Sequence, residues 1–399
     1  MKIFILGLII VLTSFMYAQN DDWQFSGEAQ IRSQLDGKSF FEKKLASQPE
    51  MRIRAGVKKT FLDKVTFFLQ VQDSRQLGEE GGTISNSKNL DLNQGYIILS
   101  GLFDLPVDIQ VGRFQIIYGT ERFFSSNNWS NVGRVFDAIR FSLNSHIKAD
   151  LFVIRHNMRQ NDIYGLYLQK KFTEAHAVEL LSFYDFTLPP LNSSISAPAN
   201  ELKQLTTAIT YIGNFQNFGI TAEAAYQLGD DNGQKIDAYL FSLQASHNYN
   251  PFTFTLGADV LSGNDGSSNK RKHFIHSYGS NHKYYGFMDY FNNGTSNTGG
   301  AGLHDLYFTL DWKLPQSKWN ASLALHNFTT NKPGTGGETV LGQEVDLTID
   351  YSFLKGTKIS AGASAFFTGK LTELRNKSTA NPDVKKVTLW SFIMLRTSL

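Results

Sequence analysis

The sequence predicts an all-β protein, a transmembrane antiparallel β-barrel of about eighteen strands that forms a single domain. Three observations support this fold class. Apolar and polar residues alternate with a period of two in many segments. The connections between these segments alternate between long and short. After residue 19, no window of about eighteen residues is apolar enough to form a membrane-spanning helix.

The N-terminus has the pattern of a secretory signal peptide. Met1 and Lys2 precede an apolar run that ends at Met16, and Ala18 provides a small residue for cleavage. We therefore expect a signal peptide over residues 1–18 and a barrel domain over residues 19–399. An uncleaved membrane anchor is the alternative, but the apolar run is short for a bilayer span.

Composition excludes several classes of protein. The chain of 399 residues contains no cysteine, which removes disulfide frameworks and thiol chemistry. A formal net charge of +2 argues against a nucleic-acid-binding protein, which would need a strongly basic face. Glycine is frequent and proline is scarce, with 33 and 9 residues, a balance that suits one large β structure with many turns.

Strict alternation marks the individual strands. Leu306, Phe308 and Leu310 alternate with polar residues, and Val345, Leu347 and Ile349 do the same in a later segment. The same criterion places strands near 23–33, 50–60, 65–73, 90–99, 107–114, 135–143, 147–155, 163–171, 177–184, 205–213, 218–227, 237–247, 251–259, 304–312, 319–327, 343–351, 357–367 and 385–396.

Loop lengths favour a membrane barrel over a soluble sheet protein. The odd-numbered connections are mostly long, such as 115–134 and 260–303, whereas the even-numbered ones are short, such as 61–64 and 144–146. Outer-membrane barrels have short periplasmic turns, long extracellular loops, a lipid-facing apolar side and a polar lumen. Acidic residues on the polar faces, among them Asp259 and Asp311, predict a water-filled interior.

Arginine is concentrated in one segment. Arg113, Arg122, Arg134 and Arg140 lie between Asn89 and Ile147, a stretch without lysine. A permanently charged planar guanidinium grips carboxylates through two parallel hydrogen bonds, so this choice of residue indicates a carboxylate-binding task. The segment covers the end of the fifth predicted strand, a long loop and the start of the sixth strand.

Strand phase predicts where these side chains point. Arg140 shares a face with Ala138 and Ser142, so we expect it in the lumen. Arg52 and Arg54 also fall on a polar face. Strict alternation would direct Arg113 to the lipid, but a bulge at Gly112 would return it to the lumen. Alternation also directs the Asp137 side chain outward, and a position near the rim of the barrel would keep its charge out of the lipid.

The arginines have a second interpretation. Together with Glu121 and Asp137 they could form an ion-pair network that braces the loop against the wall, and this role is compatible with solute selection. Trp129 could stack on a sugar ring or simply pack the loop. The loop histidines His273, His276, His282 and His304 have no standard metal-ligand spacing, so we expect them to be solvated. No catalytic or phosphate-binding motif is present, and we expect neither enzymatic activity nor a cofactor or metal.

Three groups of motifs resemble the alginate export family of outer-membrane barrels. They are Gly112-Arg113 followed by Tyr118-Gly119-x-Glu121-Arg122-Phe123, Trp129-x-Asn131, Arg134-x-Phe136-Asp137 and Arg140; then Gly257-x-Asp259-x-Leu261-Ser262-Gly263-Asn264-Asp265 with His282 to Asp289; and Leu341-Gly342-x-Glu344-x-Asp346-Leu347. This resemblance implies a monomeric barrel in the outer membrane of a diderm bacterium, in contact with its lipid, that passes an anionic polysaccharide outward, with periplasmic export partners.

The expected function is passive, anion-selective passage of an acidic polysaccharide or oligosaccharide through an arginine-lined lumen. The expected selectivity residues are Arg113, Arg122, Arg134, Arg140, Glu121, Asp137, Arg52, Arg54 and Trp129. A general diffusion porin and a non-transporting receptor or adhesin remain alternatives. Neither the solute nor the direction of transport follows from the sequence.

Overall fold

The computed structural model describes residues 23–41, 45–78, 90–156, 161–187, 201–266, 269–379 and 382–399. The predicted signal peptide, residues 1–18, lies outside these ranges. No helix in the described part of the chain is long and apolar enough to cross a membrane.

Eighteen long strands and one two-residue strand make up nearly all of the regular structure in these ranges. The strands are β1 (Gln24–Gly37), β2 (Ala46–Phe61), β3 (Val65–Gln76), β4 (Leu90–Leu99), β5 (Val107–Phe114), β6 (Phe136–Asn144), β7 (Lys148–His156), β8 (Asn161–Thr173), β9 (His176–Thr187), β10 (Leu202–Phe215), β11 (Phe218–Asp231), β12 (Gln234–Tyr249), β13 (Phe252–Leu261), the short β14 (Lys270–Arg271), β15 (Leu303–Lys313), β16 (Trp319–Thr329), β17 (Val340–Leu354), β18 (Thr357–Thr368) and β19 (Val387–Ser398). A short helix, α1 (Lys370–Asn376), lies between β18 and β19.

The long strands close into a barrel. Each pairs in antiparallel fashion with its sequence neighbour, β14 being bypassed because β13 pairs directly with β15. The first and last strands, β1 and β19, pair from Glu28–Ser398 to Gly37–Leu389 and complete the ring. The prediction of an antiparallel barrel of about eighteen strands is therefore confirmed. Closure pairs both edges of the eighteen-stranded sheet, as a sheet surrounded by lipid requires.

The two faces of the barrel follow the alternation in the sequence. On β6, Ile139 and Phe141 are exposed on the outer face, whereas Phe136 and Ala138 are buried on the inner face. The outer face of the neighbouring strands is equally apolar, with exposed Val111 on β5. This exposure of aliphatic and aromatic groups is what a hydrocarbon environment favours. The short connections are tight turns, as at residues 62–64, where Leu62 and Asp63 have φ angles of 50° and 53° and the Lys64 amide donates to the Phe61 carbonyl at 3.0 Å.

Two of the long loops fold back into the barrel and create its hydrophobic core. We call residues 115–135 the first inner loop and residues 262–302 the second inner loop. Phe124 of the first and Tyr278 of the second stack with ring centroids 5.6 Å apart, and both are almost fully buried. Because these loops fill the lumen, several acidic residues on the inner face are dry. Asp259 is 1% exposed, so the prediction of a water-filled interior is wrong at this level of the barrel, although Asp311 is only half-buried.

Candidate pore-lining site

Arg122 is the most completely enclosed cation of the first inner loop. Its Nε donates to Glu223 at 2.7 Å, and its Nη atoms donate to both carboxylate oxygens of Asp259 at 3.0 and 3.1 Å. It also donates to the Tyr285 hydroxyl at 2.7 Å and lies 3.9 Å from the ring centroid of Tyr284. A further hydrogen bond, to the Ser242 hydroxyl at 3.1 Å, means that all five N–H donors are used within the protein. This geometry favours the bracing interpretation for Arg122, which clamps the inner loops to β11 and β13.

Electrostatics in this region depend on burial and on the charge of Arg122. Burial alone would lower the pKa of Arg122, but Asp259 and further neighbours outweigh it and hold the pKa well above its ordinary value. His276 shows the opposite effect. Burial, together with Arg122 and Arg134, lowers the pKa of its imidazole to about 3, so the ring is neutral. His276 and His282 are both buried, which contradicts the expectation that the loop histidines are solvated.

A group of lumenal arginines on β1, β2 and β19 forms the opposite side of the site. We call Arg32, Arg52, Arg54 and Arg396 the arginine wall. The sequence predicted Arg52 and Arg54 as site residues but not Arg32 and Arg396. Arg32 falls in phase with Gln30 and Gln34, and this polar periodicity was the signal that could have identified it.

The arginine wall binds the tip of the first inner loop, residues 127–132. Arg32 donates to the Trp129 carbonyl at 2.7 Å, and Arg52 donates to the Ser130 carbonyl at 2.7 Å. Arg54 donates to the Asn128 side-chain oxygen at 3.1 Å and to the Val132 carbonyl at 3.2 Å. Arg396 donates to the Asn128 carbonyl at 3.0 Å. The ligands of these cations are thus largely neutral oxygens.

The wall carries more positive charge than its carboxylates neutralise. Arg32 pairs with Glu50, and Arg52 pairs with Glu28, which is also 3.8 Å from Arg54. Among the described residues, the four guanidinium groups therefore have two carboxylates within 4 Å, an excess of two positive charges over their direct ion-pair partners. Asp289, which pairs with His282, is a further carboxylate near Arg32. Loop carbonyl groups reduce the desolvation cost of this charge without cancelling it.

Trp129 lies in the tip with both faces of its indole covered. The guanidinium carbon of Arg32 lies over the indole, 4.0 Å from its ring centroid. The imidazole of His282 stacks on the indole with ring centroids 3.9 Å apart and an interplanar angle of 8°. Phe392 meets the ring edge-on at 5.0 Å. In this arrangement Trp129 packs the loop, and its faces are not open to a sugar.

Arg113 and Asp137 lie on the outer face of the barrel. The pairing of β4 with β5 and of β5 with β6 runs without a register shift through Gly112, so the predicted bulge does not form. Arg113 consequently shares the outward face of Val111, and it donates to Asp137 at 2.7 and 2.9 Å. The assignment of Arg113 to the lumen is wrong, because uninterrupted strand pairing preserves the period of two, and Asp137 lies beside it on the outer face. The ion pair instead reduces the cost of two charges near the rim.

Glu121 and Arg134 connect the two inner loops. The Arg134 side chain donates to the Gly279 carbonyl at 2.5 Å, and Lys283 donates to Glu121 at 3.2 Å. Two backbone hydrogen bonds reinforce this contact, from Ser125 to the Tyr278 carbonyl and from Ser280 to the Glu121 carbonyl.

Arg140 points inward, as the strand phase predicts. Its guanidinium hydrogen-bonds Gln110, lies 5.4 Å from the ring centroid of Phe114 and is 3.9 Å from Asp150. The arginine segment therefore divides into an outward residue, two residues that brace the loops and one lumenal cation.

An acidic cavity of about 420 Å³ lies next to the second inner loop. The cavity is lined by Asp305, Tyr307, Asp311 and His326, together with one lysine, Lys283. No group of three or more histidine, aspartate and glutamate side chains in the described ranges is arranged to hold a metal ion. The lumen is consequently polarised, with the arginine wall on β1, β2 and β19 and buried carboxylates on β7, β9, β11, β13, β15 and β17.

The closed barrel, its apolar outer belt and its polar, loop-constricted lumen define an outer-membrane channel of the porin type. The sequence matches the Alginate export family over residues 23–384, and the chain belongs to that family. This confirms the resemblance seen in the motifs. Its location is the outer membrane of a Gram-negative bacterium. The family and the fold are those of channel proteins rather than enzymes.

Solved structures of outer-membrane porins share the fold at very low sequence identity. OccAB4 of Acinetobacter baumannii is 10% identical, with a TM-score of 0.65 over 96% of this chain and 99% of that one. Pseudomonas aeruginosa OpdL is 10% identical, with a TM-score of 0.66 over 95% and 99%. P. aeruginosa OpdK, solved with vanillate, is 8% identical, with a TM-score of 0.62 over 95% and 98%. No curated protein matches the sequence.

Proposed function

We propose that this outer-membrane channel is anion-selective and passes an acidic polysaccharide or oligosaccharide by passive diffusion. The arginine wall carries this proposal, because its four guanidinium groups, which contact the tip of the first inner loop, have two carboxylates within 4 Å in the described chain, Glu28 and Glu50. Such a wall attracts carboxylates from either side of the membrane. Membership of the Alginate export family supports a uronate-bearing solute, and a monomeric barrel with periplasmic export partners completes the proposal.

The same arrangement provides a way to release the solute. In the present arrangement, carbonyl oxygens of Asn128, Trp129 and Ser130 occupy donors of the wall. A carboxylate makes stronger, charge-assisted hydrogen bonds to a guanidinium than a neutral carbonyl does. The solute can therefore displace the tip, and the tip can return as the solute moves on. Binding that is favourable but replaceable is what conduction requires.

Within this proposal the nine predicted residues take different roles. Arg52 and Arg54 contact the solute, and Arg140 is a further lumenal cation that pairs only at 3.9 Å with Asp150. Arg122, Arg134 and Glu121 hold the inner loops in place, and Trp129 packs the tip. Arg113 and Asp137 belong to the outer face and have no part in selection.

A general diffusion porin is the second candidate, and one observation favours it. The acidic cavity with Asp305 and Asp311 faces the same lumen, so cations also find favourable sites on the way through. In that case the effects of the arginine wall and of the acidic cavity on permeating ions would cancel, and the channel would show little preference between anions and cations. Measured selectivity separates the two candidates.

The test is ion selectivity in a planar lipid bilayer under a salt gradient. We expect the wild-type reversal potential to indicate anion preference. The double variant Arg52→Gln/Arg54→Gln should shift it toward cations and lower the anion-to-cation permeability ratio severalfold, because about two charges are lost from the narrow lumen. Arg113→Gln, which removes a charge from the outer face, is the matched control and should leave the ratio unchanged.

Three results would contradict the proposal. If the folded double variant has an unchanged permeability ratio, the arginine wall holds the loop tip in place but does not select ions. Cation preference of the wild type would exclude selection of polyanions. A barrel that does not conduct even without residues 127–132 would favour a surface receptor.

A further inference from the structure

A second feature of the lumen lies away from the arginine wall, on β17 and β18. Glu344 and Asp346 are 0% and 1% exposed, and Ser364 of β18 is 4% exposed. Asp346 and Ser364 are direct partners across the two strands. All three side chains point inward, where the second inner loop covers them. Their oxygens are thus collected at one buried position.

Each carboxylate uses one oxygen to hold the loop, and its other oxygen has no hydrogen bond of good geometry. Glu344 accepts the Met288 amide at 2.8 Å, and Asp346 accepts the Phe287 amide at 3.4 Å. Asp346 lies next to both Glu344 and Ser364, yet Glu344 Oε2, Asp346 Oδ1 and the Ser364 hydroxyl have no hydrogen bond of good geometry among the described residues. The backbone comes this close because residue 286 is glycine, with φ of 83°; a Cβ there would lie 2.5 Å from a Glu344 oxygen.

The charges around the site are negative and poorly compensated. No lysine or arginine of the described chain lies within 4 Å of either carboxylate. Nε2 of His326 is 3.9 Å from an Asp346 oxygen. Its Nδ1 is hydrogen-bonded to Asp305 at 2.9 Å. Asp289 adds a further carboxylate on the loop, paired with His282 at 3.1 Å. Two adjacent, dry carboxylates are costly when both are ionised, so the pair needs a neutralising partner, either a shared proton or a bound cation.

We propose that Glu344, Asp346 and Ser364 form a binding site for a small, hard divalent cation, Ca²⁺ or Mg²⁺. The available ligands are all oxygens, which select these ions over zinc or copper. A divalent charge neutralises the two carboxylates. Two carboxylates and a hydroxyl provide the protein part of the shell, and water completes it, as in sites with few protein ligands. The cation would fasten residues 286–288 of the second inner loop to β17.

The test uses the full-length barrel in detergent after removal of divalent ions with a chelator. We expect one tightly bound Ca²⁺ or Mg²⁺ per chain by elemental analysis before stripping. After stripping, added Ca²⁺ should raise Tm in a saturable way, because a ligand that binds only the folded state stabilises it. Glu344→Gln and Asp346→Asn should each weaken Ca²⁺ binding by about tenfold or more.

Asp311→Asn is the matched control, because it removes a lumenal carboxylate from the acidic cavity and not from this site. Ca²⁺ binding should be unchanged in this variant. Equal Ca²⁺ effects in the wild type and the Glu344→Gln/Asp346→Asn double variant would overturn the proposal. So would a wild type that ignores divalent ions and is stabilised only by acidification, since the two carboxyl groups would then share a proton. Neither result depends on the selectivity of the channel.

Discussion

At the residue scale, Arg122 is a buried cation whose hydrogen-bond donors are all used within the protein. Its cation is enclosed by Glu223, Asp259 and Tyr285 and is 2% exposed. Forming such a cluster involves a large desolvation cost, so its net stabilisation is modest. Breaking it is different, because removal of the one cation leaves two carboxylates buried and unpaired.

Arg122→Met should therefore lower the free energy of unfolding by about 3–5 kcal/mol, the usual effect of removing one partner from a buried ion pair. Arg113→Met is the matched control. Its ion pair with Asp137 is partly exposed, with 31% and 38% side-chain exposure, and should contribute no more than about 1 kcal/mol. The measurement is urea unfolding of the barrel refolded in lipid vesicles. Similar losses in the two variants would contradict the distinction between them.

The sequence was informative at this scale only where strands are regular. Alternation alone placed Arg52, Arg54 and Arg140 in the lumen, and the structure agrees. The error at Arg113 came from invoking a bulge at a glycine when regular pairing needed none. The partners of Arg122 could not be predicted, because Glu223 and Asp259 lie 101 and 137 residues away in the chain.

At the scale of elements, the two inner loops behave as one unit. Phe124 and Tyr278 form an isolated parallel bridge, and a backbone hydrogen bond joins Ser280 to Glu121. Gly279 lies between these contacts, and a Cβ at this position would collide with the backbone carbonyl of Arg122. The absence of a side chain at Gly279 allows the loops to approach each other this closely.

Gly279→Ala should separate the inner loops, at a cost of about 1–3 kcal/mol for overpacking. The expected result is faster proteolytic cleavage within residues 115–135 and 262–302, with the barrel itself intact. Gly27→Ala is a suitable control, since a Cβ there meets only the Leu399 side chain at an ordinary contact distance of 3.6 Å. Unchanged cleavage in the Gly279 variant would show that the loops are held by other contacts.

Strands and loops differ in how far the sequence predicts them. The period of two and the parity of loop lengths were sufficient for all eighteen barrel strands, because these signals are local. Nothing local indicates that residues 115–135 and 262–302 turn inward. The aromatic residues Phe124, Phe274 and Phe291 in these loops were the available signal, since exposed loops seldom contain many large apolar groups.

At the scale of the whole molecule, the lumen is divided into a basic and an acidic side with the inner loops between them. The arginine wall, with its partner Glu50, lies on β1, β2 and β19, around the seam where the barrel closes, and the other buried carboxylates of the described chain lie on strands from β7 to β17. The first inner loop crosses this space, so that its tip meets the wall while Arg122 meets Glu223 and Asp259. The loop therefore reduces both the width of the pore and the charge that a solute experiences.

Replacing residues 127–132 with a short glycine-serine linker should remove the contact between the loop tip and the arginine wall. The contact of Arg122 with Glu223 and Asp259 should remain. The guanidinium groups of Arg32, Arg52, Arg54 and Arg396 then lose the loop oxygens that now occupy them. We expect single-channel conductance to rise severalfold and anion preference to increase, because charge in an open lumen acts directly on permeating ions. Combining the replacement with Arg52→Gln/Arg54→Gln should keep the larger conductance but lose the added preference. A wider pore with unchanged selectivity would mean that the tip obstructs the lumen without masking the arginine wall.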